Sequence, residues 1–122
     1  MIRKALALLV FSTSLAGAQE APEGLAKAPG AYLRGLDKIA AASSDLTLAV
    51  GEAARYGSLS VRLDECRYPA DDPAANAYAF LEITDTSVNK MVFRGWMIAQ
   101  NPALSALDHQ RYDVWVLRCK ID

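Results

Sequence analysis

Leu59-Ser60-Val61-Arg62-Leu63-Asp64-Glu65-Cys66-Arg67-Tyr68 is the stretch that decides the fold. Leu59, Val61 and Leu63 alternate with Ser60, Arg62 and Asp64, the period of two that puts apolar side chains on one face of a half-buried strand. The strand is expected to run on to Cys66 or Tyr68. Pro69-Ala70-Asp71-Asp72-Pro73 cannot prolong it, since each proline lacks a backbone donor and the acidic pair favours turns, so an exposed loop follows.

Working back toward the N-terminus, Gly51-Glu52 reads as a turn and Asp45 to Val50 as a strand, with Leu46, Leu48 and Val50 on one face and Thr47 and Ala49 on the other. Ala40 to Ser44 is a small polar connection, and Tyr32 to Ile39 a first short strand. Toward the C-terminus, Tyr78 to Thr84 and Met91 to Ala99 are β-rich runs joined by the polar stretch Asp85 to Lys90, which suits a hairpin. Apolar residues on both faces around Trp96-Met97-Ile98 predict that the second run is a central strand. Asn101-Pro102 breaks the ladder, Ala103 to His109 is expected to make a helical turn, and Tyr112 to Cys119 forms the last strand. Strands spaced by turns, with no long segment of period 3.6 after the N-terminus, predict an all-β fold. It reads as a small antiparallel β-sandwich or barrel of six to seven strands, with a short helical turn before the last.

The first residues follow a different pattern. Met1-Ile2-Arg3-Lys4 sets two cations ahead of an apolar run from Ala5 to Leu15, and Ala16-Gly17-Ala18 supplies the small residues of a cleavage site. Residues 1–18 are therefore expected to be a cleavable signal peptide, cut after Ala18, with 19–31 a flexible Ala/Pro/Glu/Gly leader and 32–122 a single β domain. The apolar run falls short of the ~20 residues that span a bilayer, and no transmembrane segment is expected after cleavage. Without a cysteine near Ala18 there is no lipid attachment point, so a soluble periplasmic product is expected.

Removing the first 18 of 122 residues leaves a length that suits one domain with a modest core. The removed segment carries two of the 13 basic residues and none of the 14 acidic ones, so net charge falls from −1 to −3. That balance argues against nucleic acid or an anionic lipid surface as a partner. Cys66 and Cys119, the two cysteines of the chain, are expected to pair in an oxidising compartment, with two buried free thiols as the alternative. A metal site is disfavoured by a single histidine and the lack of a C-x-x-C spacing, and no cofactor is implied.

Ser105, Asp108 and His109 contain the residue types of a hydrolase triad, but a triad is a geometry, and neighbours in sequence rarely point at each other as a relay requires. His109 reads more simply as a ring that ends the helical turn, donates to a backbone carbonyl and holds the loop before the final strand. Glu65, Asp71, Asp72, Glu82 and Asp85 read as solvated charges near loops. Trp115, on the strand that carries Cys119, is expected to fill space beside the disulfide. Tyr56, Tyr68 and Tyr78 border turns and are the candidates for a partner surface, since amphipathic rings anchor interfaces.

From Leu33 to Cys119 the chain resembles a family of exported alphaproteobacterial proteins grouped as domain-of-unknown-function family 2155. The resemblance rests on Arg34-Gly35-Leu36-Asp37-Lys38-Ile39, on Val50-Gly51-Glu52 with Arg55-Tyr56-Gly57 and Leu59, on Cys66 and on Phe80-Leu81-Glu82-Ile83. It continues through Gly95-Trp96-Met97, Pro102 to His109, and Tyr112-Asp113-Val114-Trp115-Val116-Leu117 with Cys119. Gln110 stands where similar proteins usually place a proline, and the loop after Cys66 is less proline-rich than theirs. The family has no established activity, so no functional residues carry across. Genes of such proteins are often found near one for an accessory subunit of the respiratory NADH dehydrogenase, which implies a protein partner at the periplasmic side of a membrane complex of that kind. Three readings follow: a non-catalytic periplasmic β domain that binds a protein partner; a small-ligand or glycan binder with an aromatic face; and a hydrolase built on Ser105, Asp108 and His109.

Overall fold

A computed structural model describes residues 24–122; the expected signal peptide and the first part of the expected leader lie outside the described residues. Eight strands and one 3₁₀ turn follow in order: β1 (Leu25–Ala28), β2 (Gly30–Asp37), β3 (Ala42–Ala49), β4 (Ala53–Tyr56), β5 (Leu59–Pro69), β6 (Tyr78–Asp85), β7 (Lys90–Ile98), the 3₁₀ turn (Pro102–Leu104) and β8 (Tyr112–Lys120). They form two sheets, β1-β5-β6-β7 with β4 also on β5, and β3-β2-β8. Every pairing is antiparallel. The fold is a small all-β sandwich, one of the two architectures, sandwich or barrel, that the alternation predicts.

β5 organises the larger sheet. One of its edges carries β4 against Leu59–Arg62 and β1 against Cys66–Pro69, end to end, while the other pairs with β6. Strict alternation after Leu63 would turn Glu65 into the core and Cys66 out of it. A bulge between Leu63 and Glu65 leaves Asp64 without a partner on β6 and resets the phase, so that Cys66 is buried and Glu65 stays outside with Arg67 and Lys27. The inner faces of β5, β6 and β2 meet in one core of Leu33, Leu59, Val61, Leu63, Leu81 and Ile83, with Val114 and Val116 from β8. Cys66 on β5 is bonded to Cys119 on β8, Cα atoms 5.8 Å apart, so the bridge ties one sheet to the other.

Four expectations are corrected. Leu25–Ala28, Gly30 and Ala31, placed in a flexible leader, are strand: β1 needs no apolar face of its own, because its backbone is paired along β5. β1 and β4, four residues each, raise the strand count to eight. β7 ends its sheet, where a central strand was predicted. Its second apolar face comes from Trp96, which is covered on the outside of the sheet by Phe80, edge to face at 5.3 Å, and by the Arg67 guanidinium. The connection from β7 to β8 holds one short 3₁₀ turn at Pro102–Leu104, where a turn reaching His109 was expected.

Candidate functional site

At one end of the sandwich the β2–β3, β4–β5 and β6–β7 turns meet the segment entering β8, and His109 is the hub. Its Nδ1 accepts the backbone N–H groups of Arg111 and Tyr112, both at 3.1 Å, while Nε2 lies 2.9 Å from Asp85 Oδ2. Two donors on Nδ1 assign the ring proton to Nε2, which donates it to Asp85. The Ser87 hydroxyl, followed by the histidine, holds the Asp85 carboxyl at about 2, below its usual 3.8. Asp37 is held at about 2 as well, chiefly by the Arg111 guanidinium, with Nη2 2.9 Å from Oδ2, and also by the N–H groups of Ala40 and Ile39.

Two rings close this end. Tyr56 from β4 meets Tyr112 from β8 edge to face at 5.6 Å, and the histidine ring lies against Tyr112 at 5.4 Å. Glycine makes the approach possible. A Cβ on Gly35 would lie 2.6 Å from the Tyr56 ring, and one on Gly57, whose φ is +58°, 2.3 Å from the Tyr112 hydroxyl. Burial pushes the Tyr56 hydroxyl pKa up, with Asp37 and then Tyr112 adding to it.

With both ring nitrogens engaged, His109 has no lone pair to offer a nucleophile. Ser105 sits elsewhere and Asp108 is exposed, so the hydrolase set is not assembled. His109 does hold the loop before β8, as expected, but through Asp85 and two backbone N–H groups in place of a carbonyl. Asp85 is correspondingly buried, 7% exposed, where a solvated charge was expected.

The second feature is a groove of about 220 Å³ at the seam where β7 and β8 face each other without pairing. Met97 and Ile98 line it from β7, Asp113, Val114 and Trp115 from β8, and Pro102 and Ser105 from the connection between them. Its lining is apolar apart from Ser105 and Asp113. Asp113 is half-buried and makes no ion pair among the described residues. Trp115, expected beside the disulfide, instead stands half-buried on this groove, because β8 turns Val114 and Val116 inward and Trp115 out. Of the residues singled out from the sequence, Met97, Pro102, Ser105, Asp113 and Trp115 meet here, while His109 and Tyr112 belong to the turn end. Ile98 and Val114 were named only as members of longer strand segments. Nothing local distinguishes them from any strand residue.

Tyr56, Tyr68 and Tyr78 are half-buried, and the first two pack against the core. Tyr78 accepts a hydrogen bond from Asn76 at 3.2 Å. Phe80 and Trp96 offer no flat stacking face: the rings stand 80° apart with Arg94 and Arg67 over them, and Trp96 is 6% exposed. Gly95, next to it, faces inward opposite Leu81. Among the described residues no group of three or more His, Cys, Asp or Glu side chains could hold a metal ion, and no helix is long and apolar enough to cross a membrane.

The family described as "Uncharacterized protein conserved in bacteria (DUF2155)" matches residues 31–119. The chain is similar to "Uncharacterized protein RP359" of Rickettsia prowazekii (strain Madrid E), 28% identical over 87 residues that make up 69% of this chain and 56% of the relative. The matched region thus spans about half the length of that curated relative. No solved structure matches.

Proposed function

The chain belongs to this bacterial family of uncharacterized proteins, and on that premise we propose that it is an exported, non-catalytic domain that binds a partner protein at the β7–β8 groove. The observation that carries the reading is the groove itself. Small-molecule pockets usually enclose about 300 to 1,000 Å³; this groove, at 220 Å³, suits a single large side chain, and the larger recess of about 360 Å³ beside Lys27, Asp64 and Glu65 lies elsewhere on the surface. Asp113 at the groove, without a cation of its own, selects a partner that sets a lysine or arginine beside that apolar anchor. Export is supported by the cations, apolar run and small residues at positions 1–18 and by the Cys66–Cys119 bond, which persists in oxidising compartments. A non-catalytic role is supported by the full engagement of His109.

The test is capture from periplasmic extract and solubilised inner membrane, using the intact chain beside Trp115→Ala and Asp113→Lys. The proposal expects a reproducible protein that the intact chain retains and both variants lose. Equal retention by the variants, or no reproducible protein, would overturn it. Intact mass of the periplasmic protein tests export separately: a chain beginning at Gln19 is expected, and a full-length cytoplasmic chain would refute it.

A further inference from the structure

The strand edges of this protein are not treated alike. β1 and β4 are four residues long and carry Lys27 and Arg55. β7 carries Lys90 and Arg94, and its register with β6 shifts at Val92; β8 carries Arg118 and Lys120, and its register with β2 shifts beside Tyr32. Shortness, cations and bulges are the devices by which exposed edges avoid pairing with another chain. β3 has none of them. Its eight residues, Ala-Ser-Ser-Asp-Leu-Thr-Leu-Ala, contain no proline, lysine or arginine, and their register with β2 is unbroken from Ala42 to Ala49. No described strand lies on the other side.

The backbone phase of that edge can be read. The Val50 N–H donates to Pro29 at 2.9 Å, which makes 29 and 50 a hydrogen-bonded pair, so Leu48, Leu46, Ser44 and Ala42 direct their main-chain groups toward β2. Ser43, Asp45 and Thr47 therefore direct theirs outward, toward solvent. The side chains of these three are exposed, while Leu46 is half-buried and Leu48 buried on the inner face.

We propose that β3 is a self-association edge, which pairs antiparallel with β3 of a second copy about a two-fold axis at Leu46 and joins the two three-stranded sheets into one. Charge excludes an axis at Asp45, and the meeting of two apolar side chains favours Leu46. An axis at Asp45 would set two carboxylates directly opposite each other, which destabilises a ladder, whereas an axis at Leu46 sets Asp45 opposite the second copy's Thr47. It also brings the two half-buried Leu46 side chains together on the inner face and forms about six main-chain hydrogen bonds. Asp45 is already neutralised within its own sheet by Arg34 at 2.8 Å. The inference rests on β3 alone and stands whether or not the β7–β8 groove binds a partner.

Sedimentation equilibrium of the disulfide-intact protein over a wide concentration range is the test, with circular dichroism confirming that each variant is folded. The intact chain is expected to show a monomer–dimer equilibrium. Thr47→Asp sets like charges opposite each other twice and should raise the dissociation constant about tenfold, whereas Thr47→Lys sets lysine opposite Asp45 and should preserve or tighten the dimer. Hydrogen exchange gives a second readout: the Ser43, Asp45 and Thr47 amides should gain protection with rising concentration, while those of Ser44, Leu46 and Leu48 are protected throughout. A monomer at every concentration, or a dimer that neither variant moves and in which the odd-numbered amides stay exposed, would overturn the proposal.

Discussion

The two ends of the sandwich solve one problem with different chemistry. At the end where β5 and β8 finish, a single bond between Cys66 and Cys119 ties sheet to sheet. At the turn end the same connection is distributed over Tyr56 against Tyr112, Asp85 against His109, and two glycines that let the rings approach. One end depends on redox state and is indifferent to acid; the other is the reverse. Between them the β7–β8 seam is held by neither, and there the groove lies open. The residues that look most chemical are spent on closing an end. The β7–β8 groove is built from plain side chains.

The sharpest way to break this contrast is to remove the covalent end. The bridge spans 53 positions in sequence, and the chain-entropy estimate for closing such a loop is about 4 kcal/mol. Replacing Cys66 and Cys119 together by alanine should lower unfolding free energy by about that amount in a denaturant titration. A loss well below about 1 kcal/mol would mean that the turn end suffices alone.

Gly57→Ala attacks the other end. Alanine would have to adopt φ +58° and set its Cβ against the Tyr112 hydroxyl, so a loss of about 2 to 3 kcal/mol is expected. Gly51→Ala is the control, because its φ of +89° carries the same conformational cost with nothing within 4 Å of the added atom. It should lose only about 1 kcal/mol. Equal losses in the two variants would show that crowding at Tyr112 is not what closes this end.

Acid should loosen the turn end selectively. Asp37 and Asp85 are held at about 2 in the folded protein against 3.8 ordinarily. A carboxyl lowered by folding contributes stability that is complete above its unfolded value and is lost as pH falls through the folded one. Stability is therefore expected to decline between about pH 4 and pH 2, with melting monitored at each pH. In Asp37→Asn and Asp85→Asn the decline should shrink, and an unchanged slope in both would refute the assignment.

How far the sequence announced these regions depends on the range over which each is determined. Leu59, Val61 and Leu63 declare β5 by local alternation, and the pairing of the cysteines was expected from their number and from the proposed export. The bulge at Asp64 is decided by which residue the core accepts, Glu65 or Cys66, and alternation alone carries no sign of it. β1 and β4 have too little apolar pattern to announce themselves, being held by the backbone of β5. At the turn end, His109 was conspicuous but its partner lies 24 residues away on another hairpin. Most of the groove lay within the segments shared with the family, Met97, Pro102, Ser105, Asp113, Val114 and Trp115 among them, but only the meeting of β7 with β8 makes them neighbours.

The smallest effect sharpens the contrast within the turn end itself, where glycine is used at Gly57 but not at Ala41. Ala41 closes the β2–β3 turn with φ 52°, in the left-handed region that costs a residue with a Cβ about 1 kcal/mol. The turn is set by Asp37 Oδ1, which accepts the N–H groups of Ile39 at 3.0 Å and Ala40 at 3.1 Å, so the backbone is fixed before Ala41 is reached. Ala41→Gly removes the steric cost but gives the unfolded chain more freedom, and the two terms nearly offset, for an expected gain of about 0.5 kcal/mol. Asp37→Ala should abolish that gain if the Asp37 Oδ1 is what imposes the left-handed residue, since loss of both turn hydrogen bonds lets Ala41 relax. A gain of the same size in both backgrounds would show that the geometry of Ala41 is imposed by the β2–β3 ladder and not by the Asp37 turn.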